Sequence, residues 1–312
     1  MKPTTQTSKK TSIGGQALIE GVMMRGPFLC AMAVRGPDRQ IDLETWENPP
    51  ARWYKRVPLL RGIFNFIEML TLGYRCLMKS AEKSGMAEEE EEPGRLERWM
   101  QRRFGSEKAF QVLSAFSMVL GIAIALAIFL VLPAFLSTRL RPWVPYDIVL
   151  SALEGVFKIL LFVGYLAFVS RMPEMRRVFQ YHGAEHKTIF CYENGLELTV
   201  ENVRRQIRFH PRCGTSFLLI VMVVSVIVFS MVTWNSVVLR VLLKLVTLPV
   251  VVGISYEIIK WAGRSDSALA WIISRPGLWL QRLTTAEPED DMIEVAIASM
   301  KPVIPSGGED LL

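Results

Sequence analysis

The stretch 112-VLSAFSMVLGIAIALAIFLVLPAFL-136 decides the fold class. It carries no charge and exceeds the roughly 20 apolar residues that a helix needs to cross a bilayer. Pro133 sits near its end. Three further stretches have the same character. Ile148 to Val169 is interrupted by Glu154 and Lys158, Phe217 to Trp234 is uncharged, and about Leu242 to Trp261 carries Lys244, Glu257 and Lys260 near its ends. A short turn, 137-STRLRPWVPYD-147, joins the first pair, and another around Asn235 and Ser236 joins the second. The expected fold is mainly α: a polytopic membrane protein with about four transmembrane helices in two hairpins, plus a cytosolic module with a small β element.

Composition agrees. Apolar residues make up 51% of the 312, and the mean hydropathy is +0.28. The net charge of +6 gathers beside the hydrophobic runs. A nucleic-acid-binding protein would collect it on soluble, aromatic-interleaved faces, so a lipid bilayer is the expected partner and nucleic acid is not. The four cysteines show no disulfide-scaffold spacing, as for reduced thiols in a reducing compartment. The N-terminus lacks an apolar signal core, so no cleaved export signal is expected.

Basic residues orient the spans. The run 95-RLERWMQRRFGSEK-108 holds five and the 171–213 loop eight, whereas the turn with Arg139 and Arg141 holds two. Both termini and the long loop are therefore expected in the cytosol of a multi-pass protein. The division that follows is 1–110, an N-terminal cytosolic segment; 111–170, the first hairpin; 171–213, the cytosolic loop; 214–262, the second hairpin; and 263–312, a C-terminal amphipathic helix and tail. Within the first, 58–82 reads as an interfacial helix, 28–47 as two strands around an RGPD turn, and 88–94 as a solvated acidic linker. The segment 14-GGQALIEGVMMRGP-27 holds too many glycines for a plain strand or helix and reads as a buried turn.

All three histidines lie in the long loop, in 181-YHGAEHKTIFCYENG-195 and 210-HPRCGTSFL-218. A helix from Pro173 to Cys191, ended by Asn194-Gly195, puts His182 and His186 on one face, although Gly183 weakens it. H-x-x-E-H is the spacing of inverted zinc hydrolases, in which two histidines bind the metal and the glutamate activates water. The expected ligands of a zinc ion are His182, His186 and Cys213, with His210 or a water as the fourth and Glu185 as the base. Glu193 returns to the same helix face as a spare ligand or supporting partner. Thr199 is placed to cap a second short helix. Glu20 and Arg25 are candidates for the rim of this site, and Glu257 for a carboxylate pointing at it. Glu154 and Lys158, four apart inside a span, read either as a mutually satisfied pair or as an ion or proton pathway.

These motifs, together with 252-VGISYEI-258 and 276-PGLWLQRLTTAEPEDDMIEVAIA-298, resemble the YqhQ-like family of bacterial membrane proteins. The resemblance covers most of the chain. It implies a bacterial plasma-membrane protein of a family described as predicted metal-dependent enzymes, with the metal idea attached to His182, Glu185, His186, His210 and Cys213. It supplies no reaction. Two functions stand open: a zinc-dependent hydrolase at the cytosolic membrane face, acting on an unknown substrate, and a non-catalytic membrane scaffold or biogenesis factor with a structural metal or histidine cluster. A transporter built on Glu154 and Lys158 stands behind both.

Overall fold

The computed structural model describes residues 10–49, 53–85, 106–231, 237–265 and 267–311. The acidic linker at 88–94 and the turn at 235–236 lie outside them. The chain is mainly helical, with one four-stranded antiparallel sheet in the order β1-β2-β3-β4. It folds as two compact units. One comprises Met1–Met86, Val163–Val224 and Pro249–Leu312, and the other Ala87–Phe162 and Ser225–Leu248.

The sheet is a meander of β1 (Gly14–Leu18), β2 (Gly21–Arg25), β3 (Leu29–Arg35) and β4 (Ile41–Glu47). The hairpin expected around RGPD is β3–β4, with Arg35 opposite Ile41. The glycine-rich segment is not a turn but the β1–β2 hairpin, with Leu18 opposite Gly21 and Glu20 at φ +50°. Its glycines tolerate this because their missing side chains are where other chain segments pass. A Cβ on Gly15 would stand 2.9 Å from the Glu185 carboxyl carbon and 2.8 Å from the Met23 carbonyl oxygen.

Successive strand residues face opposite sides, and both sides of this sheet are covered. Val22, Met24, Ala31 and Ala33 share one core with Tyr181, Ala184, Met292, Ile293, Ala296 and Met300. Leu18, Met23, Met32 and Val34 share the other with Cys76. The first layer comes from α5 (Pro173–Glu193) and α10 (Asp290–Met300), the second from α1 (Leu60–Lys83). The chain after 283, expected as a tail, thus contributes a core helix: six of the seven core residues it buries lie between Met292 and Met300. Full burial of each Val, Ile or Met among them is worth about 1.5–3 kcal/mol. The helix α1 presents Phe64, Ile67, Leu70, Tyr74 and Leu77 outward, so it is amphipathic as expected of 58–82.

Among the described residues, three helices are long and apolar enough to cross a membrane: Ala115–Leu140, Val149–Val169 and Val241–Arg264. The first is α2 (Ser106–Leu126) continued through a π turn, Ala127–Val131, into α3 (Leu132–Leu140). The others belong to α4 (Asp147–Val169) and α8 (Val237–Arg264). The remaining expected span is the apolar α7 (Gly214–Ser230), 17 residues long; the end of that expected span, at 232–234, lies outside the described residues. Between them lie α6 (Val200–Arg204), capped as expected by Thr199, whose hydroxyl accepts from the Asn202 N–H at 3.3 Å, and after them α9 (Ala268–Thr284).

Candidate functional site

The helix α5 starts with Pro173 at its first turn and ends on Asn194, with Gly195 at φ +66°. Both ends match their residues: proline needs no N–H partner at a helix start, and glycine enters the left-handed region at no cost. Gly183 does not break the helix. A Cβ there would run into the carbonyl oxygen of Ala286, so glycine is what lets the 284–288 segment lie against α5. The Ala286 N–H completes that contact, donating to the Phe179 carbonyl at 2.8 Å.

This close approach determines the chemistry of the imidazoles. His182 Nδ1 donates to the Thr284 carbonyl at 2.7 Å, and His186 Nδ1 donates to the Arg208 carbonyl at 2.5 Å. A carbonyl can only accept, so each Nδ1 carries a proton, and each Nε2 presents a lone pair whenever its ring is neutral. His182 Nε2 lies 3.2 Å from Cys213 Sγ, and the two rings are 4.3 Å apart. One donor atom from each of His182, His186 and Cys213 falls within 4.8 Å of the others. His186 is 1% exposed, and its Nε2 has no hydrogen-bond partner.

The polar groups around this cluster are strongly perturbed. Burial pushes the Cys213 thiol up, but the facing His182 and His186 imidazoles outweigh it and hold the thiol well below its usual range. Burial depresses His182, yet the Cys213 sulfur opposite raises it to about 9. Burial lifts the Glu185 carboxyl above the usual carboxylate range, with the two imidazoles and the Gly15 N–H opposing. Its Oε2 is buried and unpartnered.

The remaining candidates go elsewhere. His210 is not part of the donor group. Its Nε2 lies 3.5 Å from Glu193 Oε2, its Nδ1 accepts weakly from the Arg212 N–H at 3.4 Å, and burial keeps it neutral by driving it down to about 4. Glu193 is engaged by Arg212 and by the Thr11 N–H at 2.8 Å, because a buried carboxylate needs several donors. Glu20 pairs through both oxygens with Arg177 at 2.6 Å, and Arg25 lies 3.7 Å from Glu68. Neither forms a rim of the histidine cluster. Glu257 does not point at it either: its two oxygens take the Arg61 guanidinium, and one also accepts the Leu59 N–H, anchoring the start of α1. Glu154 and Lys158 belong to the other unit, where Lys244 joins them.

Three supporting groups were not foreseen. Gln281 clamps the His210 peptide, accepting its N–H and donating to its carbonyl, each at 2.7 Å. Thr284 and Arg208 act through backbone carbonyls, which carry no side-chain signal in a sequence. Gln281 lies one helical turn before Thr284 in α9, so a polar residue on the buried face of an amphipathic helix was the available clue.

A family model described as "Protein of unknown function (DUF1385)" matches residues 57–306. The "Uncharacterized protein YqhQ" of Bacillus subtilis (strain 168) is 39% identical over 295 residues, which cover 93% of this chain and 92% of that protein. No solved structure matches. The matched range includes the histidine helix, the cysteine turn and the C-terminal core helix, and the chain belongs to the YqhQ-like, DUF1385 family.

Proposed function

We propose that this is a zinc-dependent hydrolase of the bacterial plasma membrane, with its site at the cytosolic face. One observation carries the metal reading: both Nδ1 protons are committed to backbone carbonyls, so two imidazole lone pairs converge with one sulfur. The Cys213 sulfur facing these atoms calls for positive charge among them, which a proton on His182 Nε2 supplies and a metal cation would replace. Carbonyl-anchored histidines of this kind are the usual support for metal ligands. Two imidazoles and a thiolate suit zinc, whose bond lengths of about 2.0–2.3 Å imply donors about 3.3–3.7 Å apart. The 3.2 Å separation of His182 Nε2 and Cys213 Sγ is close to that.

Three protein ligands with a free fourth position are the pattern of catalytic zinc. The engagement of His210 with Glu193 supports that count. Zinc held by His182, His186 and Cys213 would supply Lewis acidity, bringing the pKa of water towards neutrality. Glu185, three residues from His182 and one from His186, accepts the proton of the attacking water at its unpartnered Oε2, while the Gly15 N–H steadies the carboxyl. In this reading four spans in two hairpins carry the site, with α7 as the third, and the basic residues of 171–213 keep it and both termini in the cytosol.

Burial favours a second reading, a scaffold with a closed structural site. Glu185 is 5% and Cys213 8% exposed, so Glu185 would serve as the fourth ligand. Cobalt-loaded full-length protein distinguishes the two. Under the hydrolase reading acetohydroxamate changes its visible spectrum, and Glu185→Gln retains the metal. An unchanged spectrum together with metal loss in Glu185→Gln establishes the scaffold. Failure of the purified protein to hold zinc or cobalt at one per chain removes both.

A further inference from the structure

A cavity of about 740 Å³ opens at the end of the sheet where the β2–β3 hairpin turns. That lies within the roughly 300–1,000 Å³ of ligand sites. Its lining includes Arg25, Phe28, Glu47, Asn48 and Lys55. Hydrogen bonds fix its frame. The Gly26 N–H donates to the Leu29 carbonyl at 2.8 Å, and the Asn48 N–H to the Phe28 carbonyl at 2.7 Å. The Asn48 side-chain amide donates to the Gly26 carbonyl at 2.7 Å and, at 3.3 Å, to that of Pro27.

Two charged groups on this lining have capacity to spare. Glu68 accepts from Lys55 at 2.8 Å and from the Tyr54 hydroxyl at 3.0 Å, while Arg25 stands 3.7 Å off, beyond hydrogen-bond reach. Among the described residues, the Arg25 guanidinium makes no hydrogen bond and Glu47 makes no ion pair. Arg25 ends β2 and Glu47 ends β4, with β3 between them. A cation and a carboxylate that line one cavity without pairing are complementary to a ligand carrying both charges.

The approach to the cavity is apolar and abuts a helix long enough to cross a membrane. Lys55 belongs to a short turn of 3-10 helix, Trp53–Arg56, that leads into α1. The start of α1 packs on α8: a Cβ on Gly253 would stand 3.0 Å from the Leu59 carbonyl oxygen, and one on Gly62 2.7 Å from Tyr256 Cβ. Phe28 is 59% and Trp53 70% exposed, and Val57 and Leu59 are exposed beside them in sequence. Exposed aromatic rings beside a span belong at headgroup level.

We infer that this cavity binds the headgroup of an aminophospholipid, its phosphate on Arg25 and Lys55 and its ammonium on Glu47, with the Phe28 and Trp53 rings against the glycerol and acyl carbons. Arginine suits the phosphate, because its planar fork matches the oxygens. The site holds a lipid without making or breaking a bond, and it stands whether or not the histidine cluster takes a metal.

Native mass spectrometry of the full-length protein, released from detergent with phosphatidylethanolamine, phosphatidylglycerol or phosphatidylcholine at equal concentration, tests this. The wild type should retain one phosphatidylethanolamine per chain in preference to the others. Phosphatidylglycerol offers Glu47 no cation, and the quaternary ammonium of phosphatidylcholine offers it no N–H. Arg25→Gln and Glu47→Gln should each weaken that retention about tenfold, and Glu47→Gln should not weaken phosphatidylglycerol. Equal retention of the three lipids by the wild type overturns the inference, as does unchanged phosphatidylethanolamine retention in Glu47→Gln. Glycerophosphoethanolamine, which lacks acyl chains, should not displace the lipid at equal concentration; displacement would make this a site for a soluble zwitterion and overturn the lipid assignment. Glu47 is an exposed strand end, so its variant carries the test should Arg25→Gln not fold.

Discussion

Two buried polar clusters use opposite means of organisation. In the histidine site the imidazoles are oriented from outside, by the carbonyls of Thr284 and Arg208, and their free atoms are left facing one another. In the lysine site the charges orient each other, Lys244 against Glu154 and both lysines against Phe229. The first is held in place by backbone carbonyls whose positions do not depend on the charge of the groups they orient. The second is built from long side chains whose arrangement depends on their own charge state. The difference teaches that burial of charge alone does not mark a binding site; the source of the orientation does.

The sharpest way to break this comparison is Cys213→Ala. It removes the sulfur on which both imidazoles converge, and zinc measured on the purified variant should fall from one per chain to background. Retention of stoichiometric metal would deny the site its proposed ligand set. Next in size is Gly183→Ala. The added methyl collides with the Ala286 carbonyl, so the 284–288 segment must shift. Overpacking of this kind costs about 1–3 kcal/mol. Because the shift carries the Thr284 carbonyl away from His182, metal affinity should fall with stability in titrations against a chelator.

Gln281→Met comes third. It leaves the His210 N–H and carbonyl without their partners, at about 1–3 kcal/mol for a buried group so stranded. Denaturant unfolding should show the loss, while His182, His186 and Cys213 still bind metal, because Gln281 touches none of them. A loss of metal binding here would mean that the His210 turn also positions Cys213. The smallest effect is expected for Glu257→Gln. Its pair with Arg61 is partly exposed, and such pairs contribute at most about 1 kcal/mol. Metal content should not change at all, and a change would restore the link between Glu257 and the histidines that the coordinates oppose.

The legibility of the chain was uneven for physical reasons. Long apolar runs identify themselves, because composition and length alone decide whether a helix can enter a bilayer. The histidine helix was legible through its boundaries, Pro173 and Asn194-Gly195, and through the i to i+4 spacing of His182 and His186. The glycine-rich strands were not. Gly15, Gly21 and Gly26 look like breaks until the Glu185 carboxyl, the Ala33 carbonyl and Val303 are seen to fill the space above them. The same holds for Gly183. The shared loop offers His210 or a water as a fourth ligand, and the helix face offers Glu193 as a spare ligand or supporting partner; the structure sets His210 and Glu193 against each other, with Arg212 and the Thr11 N–H completing the carboxylate's donors.

The amino-acid sequence by itself determined that apolar helices dominate, that a short hairpin precedes them, and that two imidazoles share a helix face, because each of these depends only on neighbours along the chain. Only the tertiary structure decided which of the remaining polar groups meet those imidazoles. Cys213, Thr284, Arg208 and Gly15 lie between 22 and 170 positions from the histidines and Glu185 that they contact. Such meetings are set by how the 284–288 segment, the 205–213 turn and the first hairpin pack around one helix, and no local pattern encodes them.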